Sequence, residues 1–339
     1  MNLNSSYFIL FANCIPVKGA TRSTICDLQR NKFLYIPNEL YQILTEYNHL
    51  SIQEIKVKYN NKYDNIIDEY FQFLLNKKLI TLCDKDDLSN FPILNLELEE
   101  SLLITNAVLE VQQDNTKDKN RIIQQLDKII CKNLQIKITS NVESKYLTEL
   151  LECLNETTIK YVECIVPDNS SFSEKLFLDL FKTYPRLYNL YVYNKSEFKI
   201  IPFKDAGNII YVNKDLSNRN TCGFIHPNHF SVNMDFFIES KVKNSCLNKK
   251  VAIDKDGYIK NCLAMDVTYG NIYTDDLEEV VKRKDFQQLW NITKDNILVC
   301  KDCEFRYICP DCRAIIENKD NIFSKPLHCN YDPYTAKYL

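Results

Sequence analysis

Eight of the fourteen cysteines fall between Cys222 and Cys329 in a regular order: Cys246-x10-Gly257-x4-Cys262, then Cys300-x2-Cys303-x5-Cys309-x2-Cys312, then Cys329. Cysteines that merely fill a core show no such spacing. Soft thiolates bind zinc or iron-sulfur clusters, and four of them close one coordination shell, so eight can fill two. The C-terminal third is therefore expected to be a metal or cluster site, with iron-sulfur and zinc both open. Residues 251–261 read as a hairpin, because two short apolar-alternating runs flank Asp256-Gly257, a dipeptide suited to positive φ. A hairpin brings its ends together, and with them Cys246 and Cys262. Each Cys-x2-Cys pair sets two sulfurs on one tight loop. The five residues between the pairs are fewer than a usual zinc-ribbon separation.

Taken with Asn261-Cys262, Gly270-Asn-Ile, Phe286-Gln-Gln-Leu-Trp290 and Cys303-Glu-Phe-Arg-Tyr-Ile-Cys309, this pattern resembles the SPASM domain, the cluster-bearing extension of peptide-modifying radical SAM proteins. More narrowly, Phe11-Ala-Asn-Cys-Ile-Pro-Val-Lys-Gly19, Cys26-Asp-Leu-Gln-Arg30 and Ile104-Thr-Asn-Ala107 look like the peptide maturase of grasp-with-SPASM systems, over nearly the whole chain. That resemblance implies a ribosomally made precursor peptide as one partner. It implies an ATP-grasp ligase, which makes side-chain ester or amide crosslinks, as the other. It also implies two auxiliary 4Fe-4S clusters. By matching position, Cys300, Cys303, Cys309 and Cys329 would hold one of them. Cys246, Cys262 and Cys312 would hold the second, with Cys222 the candidate fourth ligand. One departure stands out: SPASM domains usually have three residues before the last cysteine of the tight run, and here Pro310 and Asp311 alone separate Cys309 from Cys312.

Two absences bear on activity. A radical SAM enzyme needs Cys-x3-Cys-x2-Cys after its first core strand, because three thiolates must leave one iron open to the amine and carboxylate of S-adenosylmethionine. The sequence contains no such triplet. Where the comparison would place it, the strand-like run 102–111 continues into Gln112-Gln-Asp-Asn-Thr116, without sulfur. The five glycines, Gly19, Gly207, Gly223, Gly257 and Gly270, make no Gly-Gly-Glu-type loop, no Gly-x-Gly-x-x-Gly turn and no P-loop. Neither SAM nor ATP is expected to bind by the usual routes.

A chain of 339 residues with 45% hydrophobic content can build two or three domains with ordinary cores, and its net charge of −3 gives no bias toward polyanions. Nucleic acid is not an expected partner. The first twelve residues have neither a basic start nor a small-residue cleavage site, and no run approaches the roughly 18 apolar residues of a membrane span. A cytoplasmic protein without a membrane partner is the expectation. Disulfides are not expected in that reducing compartment, which leaves ligation for the clustered thiols and plain burial for Cys83, Cys131, Cys153 and Cys164.

The fold class expected is α/β, in three parts. Residues 1–84 read as a winged-helix-like domain, with strands at 7–15, 23–29 and 33–36, three helices, and a last strand at 79–82. Pro37 and Asn38 open the first helix, Ser51 and Glu54 make a capping box for the second, and Ile66, Tyr70, Phe71, Leu74 and Leu75 form the stripe of the third. These 84 residues hold nine Lys or Arg against eight Asp or Glu, which is no nucleic-acid footprint. The module resembles the precursor-peptide recognition element of peptide-modifying systems, which implies that the leader peptide adds as a strand beside the wing. A polar stretch ending in Pro92 opens a linker at 85–100. Strand and helix then alternate: strand 104–111, helix 121–131, strand 134–139, helix 144–155, strand 158–166, helix 173–184, strand 187–193. Ile122, Ile123, Leu126, Ile129 and Ile130 give the first of these helices one apolar face. Four or five βα units are too few for a full barrel, so 101–221 looks like a partial (βα) barrel of radical-SAM type that has lost its cluster loop. Residues 222–339 complete the chain as the cysteine-rich SPASM domain.

Other candidates are read blandly. His226-Pro-Asn-His229 is expected to be a surface turn rather than a metal site, and His328 a neighbour of Cys329 rather than a ligand. Cys14 and Cys26 lie in alternating strands as core packing. Asp275-Asp-Leu-Glu-Glu279 opens a helix that ends in Lys282, Arg283 and Lys284, the order a helix dipole favours. With four histidines in all, acid-base catalysis has little to work with. The favoured function is an iron-sulfur accessory protein that binds a precursor peptide and assists an ATP-grasp ligase. A zinc-stabilised peptide-binding adaptor is the alternative, and an independent radical enzyme using Cys14 and Cys26 is the third reading.

Overall fold

The computed structural model describes residues 5–98, 101–112, 119–140, 142–203, 207–219 and 221–338. Most of the sulfur-free stretch at 112–116 lies outside the described residues, as do residues 1–4 and the last two residues of the linker, 99 and 100.

The N-terminal elements are β1 (Tyr7–Leu10), β2 (Cys14–Val17), β3 (Ser23–Asp27), β4 (Lys32–Ile36), α1 (Asn38–Glu46), α2 (Ile52–Lys58), α3 (Asp64–Asn76) and β5 (Ile80–Cys83). The strand expected over 7–15 is broken in two. The chain turns at Asn13, where Cys14 N donates to Phe11 O at 2.8 Å and Asn13 Nδ2 to Asp27 Oδ1 at 2.9 Å. The first half is thereby free to pair with β5, and the second turns back along β3 in the sheet β2-β3-β4. Helix α2 begins with the expected capping box: Ser51 Oγ accepts from Glu54 N at 3.2 Å, and Glu54 Oε2 accepts from Ser51 N at 2.7 Å. In α3 the inward stripe is Ile67, Phe71 and Leu74, with Phe71 edge-on to Phe8 at 5.0 Å, whereas Ile66 is 43% exposed. Phe71 and Leu74 of the anticipated stripe thus face inward, and Ile67 takes the place of Ile66 at its N-terminal end. A short 3-10 turn, Lys85–Asn90, then leads into an extended segment.

Next come β6 (Asn106–Val111), α4 (Lys119–Lys128), β7 (Asn133–Ile138), α5 (Ser144–Glu152), β8 (Tyr161–Pro167), α6 (Glu174–Thr183), β9 (Leu187–Tyr193), β10 (Lys199–Phe203) and β11 (Gly207–Val212). The cysteine-rich region adds α7 (Met234–Val242), β12 (Lys250–Ile253), β13 (Tyr258–Lys260), β14 (Gly270–Asn271), α8 (Leu277–Lys282), α9 (Lys284–Gln287), β15 (Tyr331–Asp332) and β16 (Lys337–Tyr338). Nine strands form one sheet in the order β10-β11-β9-β8-β7-β6-β12-β13-β14, mainly parallel, with antiparallel strands at both margins. Hairpin β12-β13 therefore extends the same sheet beyond β6. Its turn carries Gly257 at φ +83, as Asp256-Gly257 anticipates.

Strands β6 to β9 are added in sequence order along one edge, and right-handed crossovers then place α4, α5 and α6 on one face. Leu109, Ile136, Cys164 and Leu190 of that face pack with Leu126, Leu150 and Phe177 in a single core that continues into Val251, Ile259 and Phe286. Helix α4 ends three residues sooner than expected. Ile130 sits at φ +56 and is 44% exposed, so it closes the helix instead of packing on the sheet. Strands β10 and β11 were not anticipated. Among the described residues no helix is long and apolar enough to cross a membrane.

The N-terminal sheet docks on the cysteine-rich region. Val17, Cys26 and Leu28 share a core with Phe237, Phe305 and Tyr331. At its rim Glu304, whose side chain is fully buried, accepts from Arg22 Nε at 2.8 Å and from the Tyr331 hydroxyl. The Arg22 guanidinium also stacks 3.7 Å over the Tyr35 ring. Removing one partner of a buried ion pair costs roughly 3–5 kcal/mol, and partial exposure of the cation reduces this. Arg22→Ala is expected to lower stability by about 2 kcal/mol. Denaturant unfolding of the full chain measures it, and an unchanged midpoint would rule out this contact as the fastening between the two regions.

Candidate metal centre

Backbone geometry brings the eight cysteines of the C-terminal region into two groups of four. In the first, Cys246 follows α7 in a turn organised by Asn244, which is 1% exposed. Asn244 Oδ1 accepts from Cys246 N at 3.1 Å and Leu247 N at 3.0 Å, while its Nδ2 donates to Asp311 Oδ2 at 2.6 Å. Cys262 leaves β13 beside buried Asn261, whose Nδ2 donates to Phe286 O at 3.1 Å. Cys222 reaches the same place because Gly223 lies against Cys312: a Cβ there would meet Cys312 Sγ at 3.0 Å, and the backbone sits at φ +86. The neighbouring Cys222 thiol, and after it the positive potential of Lys250, lower the pKa of Cys262 against the effect of burial. Cys262, followed by burial, pushes Cys222 far up, and Cys312 and Cys246 add to it. Burial raises Cys246 to about 11. Cys246, outweighing burial, raises the pKa of Lys250.

The second group, Cys300, Cys303, Cys309 and Cys329, lines one cavity walled by Ile225, Phe230, Phe305 and Tyr331. Cys300 N-terminates a 3-10 turn, Cys300–Asp302, and Cys303 N donates to Cys300 O at 3.0 Å. Just before it Val299 sits at φ +67, a conformation that costs a β-branched residue of order 1–3 kcal/mol and persists where surrounding structure imposes it. Lys294, 5% exposed, donates from Nζ to Cys309 Sγ at 3.3 Å and to Pro310 O at 2.8 Å. Burial disfavours its charge, yet Cys309, Cys300 and Asp311 together outweigh this and hold it protonated. Burial pushes Cys309 up to about 12. The two groups meet at Asp311, between Cys309 and Cys312, which pairs with Arg313 at 2.7 Å.

Among the described residues no three or more His, Cys, Asp or Glu side chains converge closely enough to hold one ion; the thiols of each group stand around a shared space. The donor set suits soft-metal chemistry, since all eight are sulfur and each group has a lysine beside it, half-buried Lys250 for the first and buried Lys294 for the second. Cys14 and Cys26 are not brought together. Cys14 belongs to the core around Phe8 and Cys26 to that around Phe305, and burial raises each to about 12. Cys83, Cys131 and Cys164 are buried and Cys153 half-buried, apart from both groups. His226 caps a short turn by accepting from Asn228 N at 3.2 Å, and His328 stacks on Phe224 at 4.7 Å. Asp276 caps α8, and Lys282 bonds Glu278. The thiol spacing did not reveal Asn244, Lys250 or Lys294. Gly223 carried a usable signal: of the chain's five glycines it alone directly follows a cysteine.

Comparison with known proteins agrees with this geometry over one segment. Residues 245–304 match the SPASM family model, an iron-sulfur cluster-binding domain. The match includes Cys246, Cys262, Cys300 and Cys303. Similar solved structures include Streptococcus suis SuiB, at 13% identity and a TM-score of 0.37, covering 94% of this chain and 98% of that one. SuiB bound to S-adenosylmethionine aligns at 13% identity and a TM-score of 0.33, covering 91% and 96%. SuiB bound to its precursor peptide SuiA aligns at 11% identity and a TM-score of 0.32, again covering 91% and 96%. No curated protein matches.

Gly223 gives this geometry a direct test. Gly→Ala at an unstrained position stabilises by about 0.4–1 kcal/mol, whereas forcing a side chain into a left-handed backbone costs roughly 1–3 kcal/mol. Gly223→Ala should therefore destabilise the chain by about 1–3 kcal/mol and spread Cys222 from Cys312. Chemical unfolding of the metal-free protein reads it, and a neutral or stabilising result would contradict the close approach.

Proposed function

We propose that this chain is an iron-sulfur accessory protein in the maturation of a ribosomally made peptide, binding the precursor and assisting an ATP-grasp ligase. The observation that carries this is the four-and-four gathering of thiols in and around the segment that matches the SPASM model. Cys300, Cys303, Cys309 and Cys329 would hold one 4Fe-4S cluster, and Cys222, Cys246, Cys262 and Cys312 the other. When bound, such clusters supply electron transfer and cross-link the loops that ligate them. The chain's own residues do the rest: Lys250 and Lys294 offset thiolate charge, Asn244 orients the Cys246 turn, and aromatic walls exclude water from the second group.

The N-terminal part, 1–84, is assigned a winged-helix-like role in leader binding. Two features support it. Strand β4 pairs with β3 along one edge, and beside it lies a groove lined by Arg30, Lys32, Lys77 and Phe230, a place where an extended peptide can add as a strand. Residues 85–100 are the linker, 101–221 the partial barrel of radical-SAM type, and 222–339 the SPASM domain. The one-directional order β6 to β9 supports the partial-barrel reading. A zinc-stabilised adaptor is the second reading, favoured by the short step from Cys309 to Cys312.

Metal analysis decides between them. Protein purified without oxygen is expected to be brown, with about eight iron and eight sulfide per chain. Cys303→Ala and Cys222→Ala should each lose about four iron, leaving the other group loaded. Colourless protein with stoichiometric zinc selects the adaptor, and full iron in both variants refutes the ligand assignment. Co-purification of a precursor peptide and an ATP-grasp ligase with the full chain tests the partner assignment.

A further inference from the structure

The sheet face opposite α4, α5 and α6 carries polar side chains in register. Gln135, Glu163, Asn189 and Asn208 form one row across β7, β8, β9 and β11, which ends on the apolar Val108 of β6. Glu163 stands near the middle of that row and is held by neutral amides. Gln135 Nε2 donates to its Oε2 at 3.2 Å, Asn189 Nδ2 donates to its Oε1 at 2.9 Å, and Asn208 Nδ2 donates to Asn189 Oδ1 at 3.3 Å. A carboxylate has about four acceptor positions, and two are used here. Among the described residues no ion pair engages it, because the nearby cations are committed elsewhere. Lys137 Nζ donates to Asn218 O at 3.0 Å, Arg219 pairs with Glu110, and Lys250 faces the thiols of the first group.

Two aromatic residues stand beside this carboxylate. The register shifts between Val162 and Glu163, so that Val162 faces Leu187 and Glu163 faces Asn189, leaving Tyr188 as the extra residue of a bulge. Gly207 makes the bulge possible, since a Cβ there would overlap Tyr188 O at 1.6 Å. A bulge redirects its extra side chain, and Tyr188 meets Tyr161 edge to face at 6.3 Å, with 51% and 56% of each exposed. Tyr161, Tyr188 and Glu163 line one open cleft of about 750 Å³, together with the amides of Asn106, Asn133 and Gln135, and with Cys246 and Lys250 at the end nearest the first thiol group.

An uncompensated carboxylate on the floor of a cleft, flanked by exposed aromatic rings, attracts a cation from two directions: by charge at the carboxylate and by the ring quadrupoles. The amide side chains alongside can both donate to and accept from a polypeptide backbone. We infer that this cleft binds a basic side chain of the substrate peptide, with Glu163 accepting from its ammonium or guanidinium and Tyr161 and Tyr188 covering its apolar stem. The inference rests on the peptide-binding reading above, and it places a basic residue of the peptide next to the Cys246 group.

The test uses full chain purified without oxygen and a fluorescein-labelled nonapeptide of glycine and serine with one central lysine, followed by anisotropy over the protein's solubility range. Companion probes carry arginine, norleucine or glutamate at that position. The lysine or arginine probe should bind at least tenfold more tightly than norleucine, and glutamate more weakly still. Glu163→Gln should abolish the preference, and Tyr161→Leu should weaken it several-fold. Equal affinity of the lysine, arginine and norleucine probes, no binding of any probe, or a preference that survives in Glu163→Gln would overturn the inference. The wild-type comparison stands even if a variant fails to fold. Iron content, measured on the same samples, reports separately on the cluster assignment.

Discussion

The two thiol groups share one frame because a buried carboxylate sits between them. Asp311 is 5% exposed and separates Cys309 from Cys312 by a single step on either side of the pair Pro310-Asp311. A carboxylate in that position must be matched by donors, since leaving it uncompensated costs several kcal/mol. Asn244 Nδ2 and Arg313 provide the hydrogen bonds, and Lys294 stands 4.0 Å away. Each donor has a second task. Asn244 shapes the Cys246 turn, Lys294 reaches Cys309, and Arg313 Nη1 ties down Ile322 O and Ser324 O on the way to Cys329. Satisfying one acidic group thus orients loops from four parts of the cysteine-rich region.

The sheet has an analogous economy. Its helix-covered face is a continuous apolar core that crosses from β9 through β6 into β12 and β13, so the cysteine-rich hairpin is held by ordinary strand pairing and core packing. Its other face keeps polar residues in register. A parallel sheet is usually covered on both faces, and here part of the second face stays open as a cleft; on this face Glu110 pairs with Arg219 and Glu163 is clamped by amides.

What was legible in the sequence was local. The capping box at Ser51 and Glu54, the turn at Asp256-Gly257 and the βα alternation depend on neighbouring residues, and each occurs at its anticipated place. The hairpin argument placed Cys246 with Cys262 for the same reason. What was missed depends on distant partners. Alternation of apolar residues runs on through Asn13, and it takes Asp27 across the sheet to turn the chain there. The pairing of β12 with β6 joins Lys250 to Asn106 with most of the sheet between them in sequence. Lys250, Lys294 and Glu163 look like ordinary charged residues in a chain of which 26% is charged. Their meaning comes from which face of which element they occupy.

The two thiol groups differ in their surroundings, and the difference follows from which part of the fold covers each. Cys300, Cys303, Cys309 and Cys329 lie under Phe305, Tyr331 and Tyr338, with Phe33 and Tyr35 of the docked N-terminal sheet closing over Phe305. Cys246 opens on the polar cleft, and Cys222 and Cys262 on a second pocket lined by Lys137 and Arg219. A low-dielectric, aromatic enclosure isolates charge from water, whereas a polar opening lets a ligand approach. Packing of the N-terminal module on Phe305 therefore thickens the wall around one group, while the open stretch of the sheet's polar face at Asn106, Glu163 and Tyr188 leaves Cys246 of the other in reach of whatever enters the cleft.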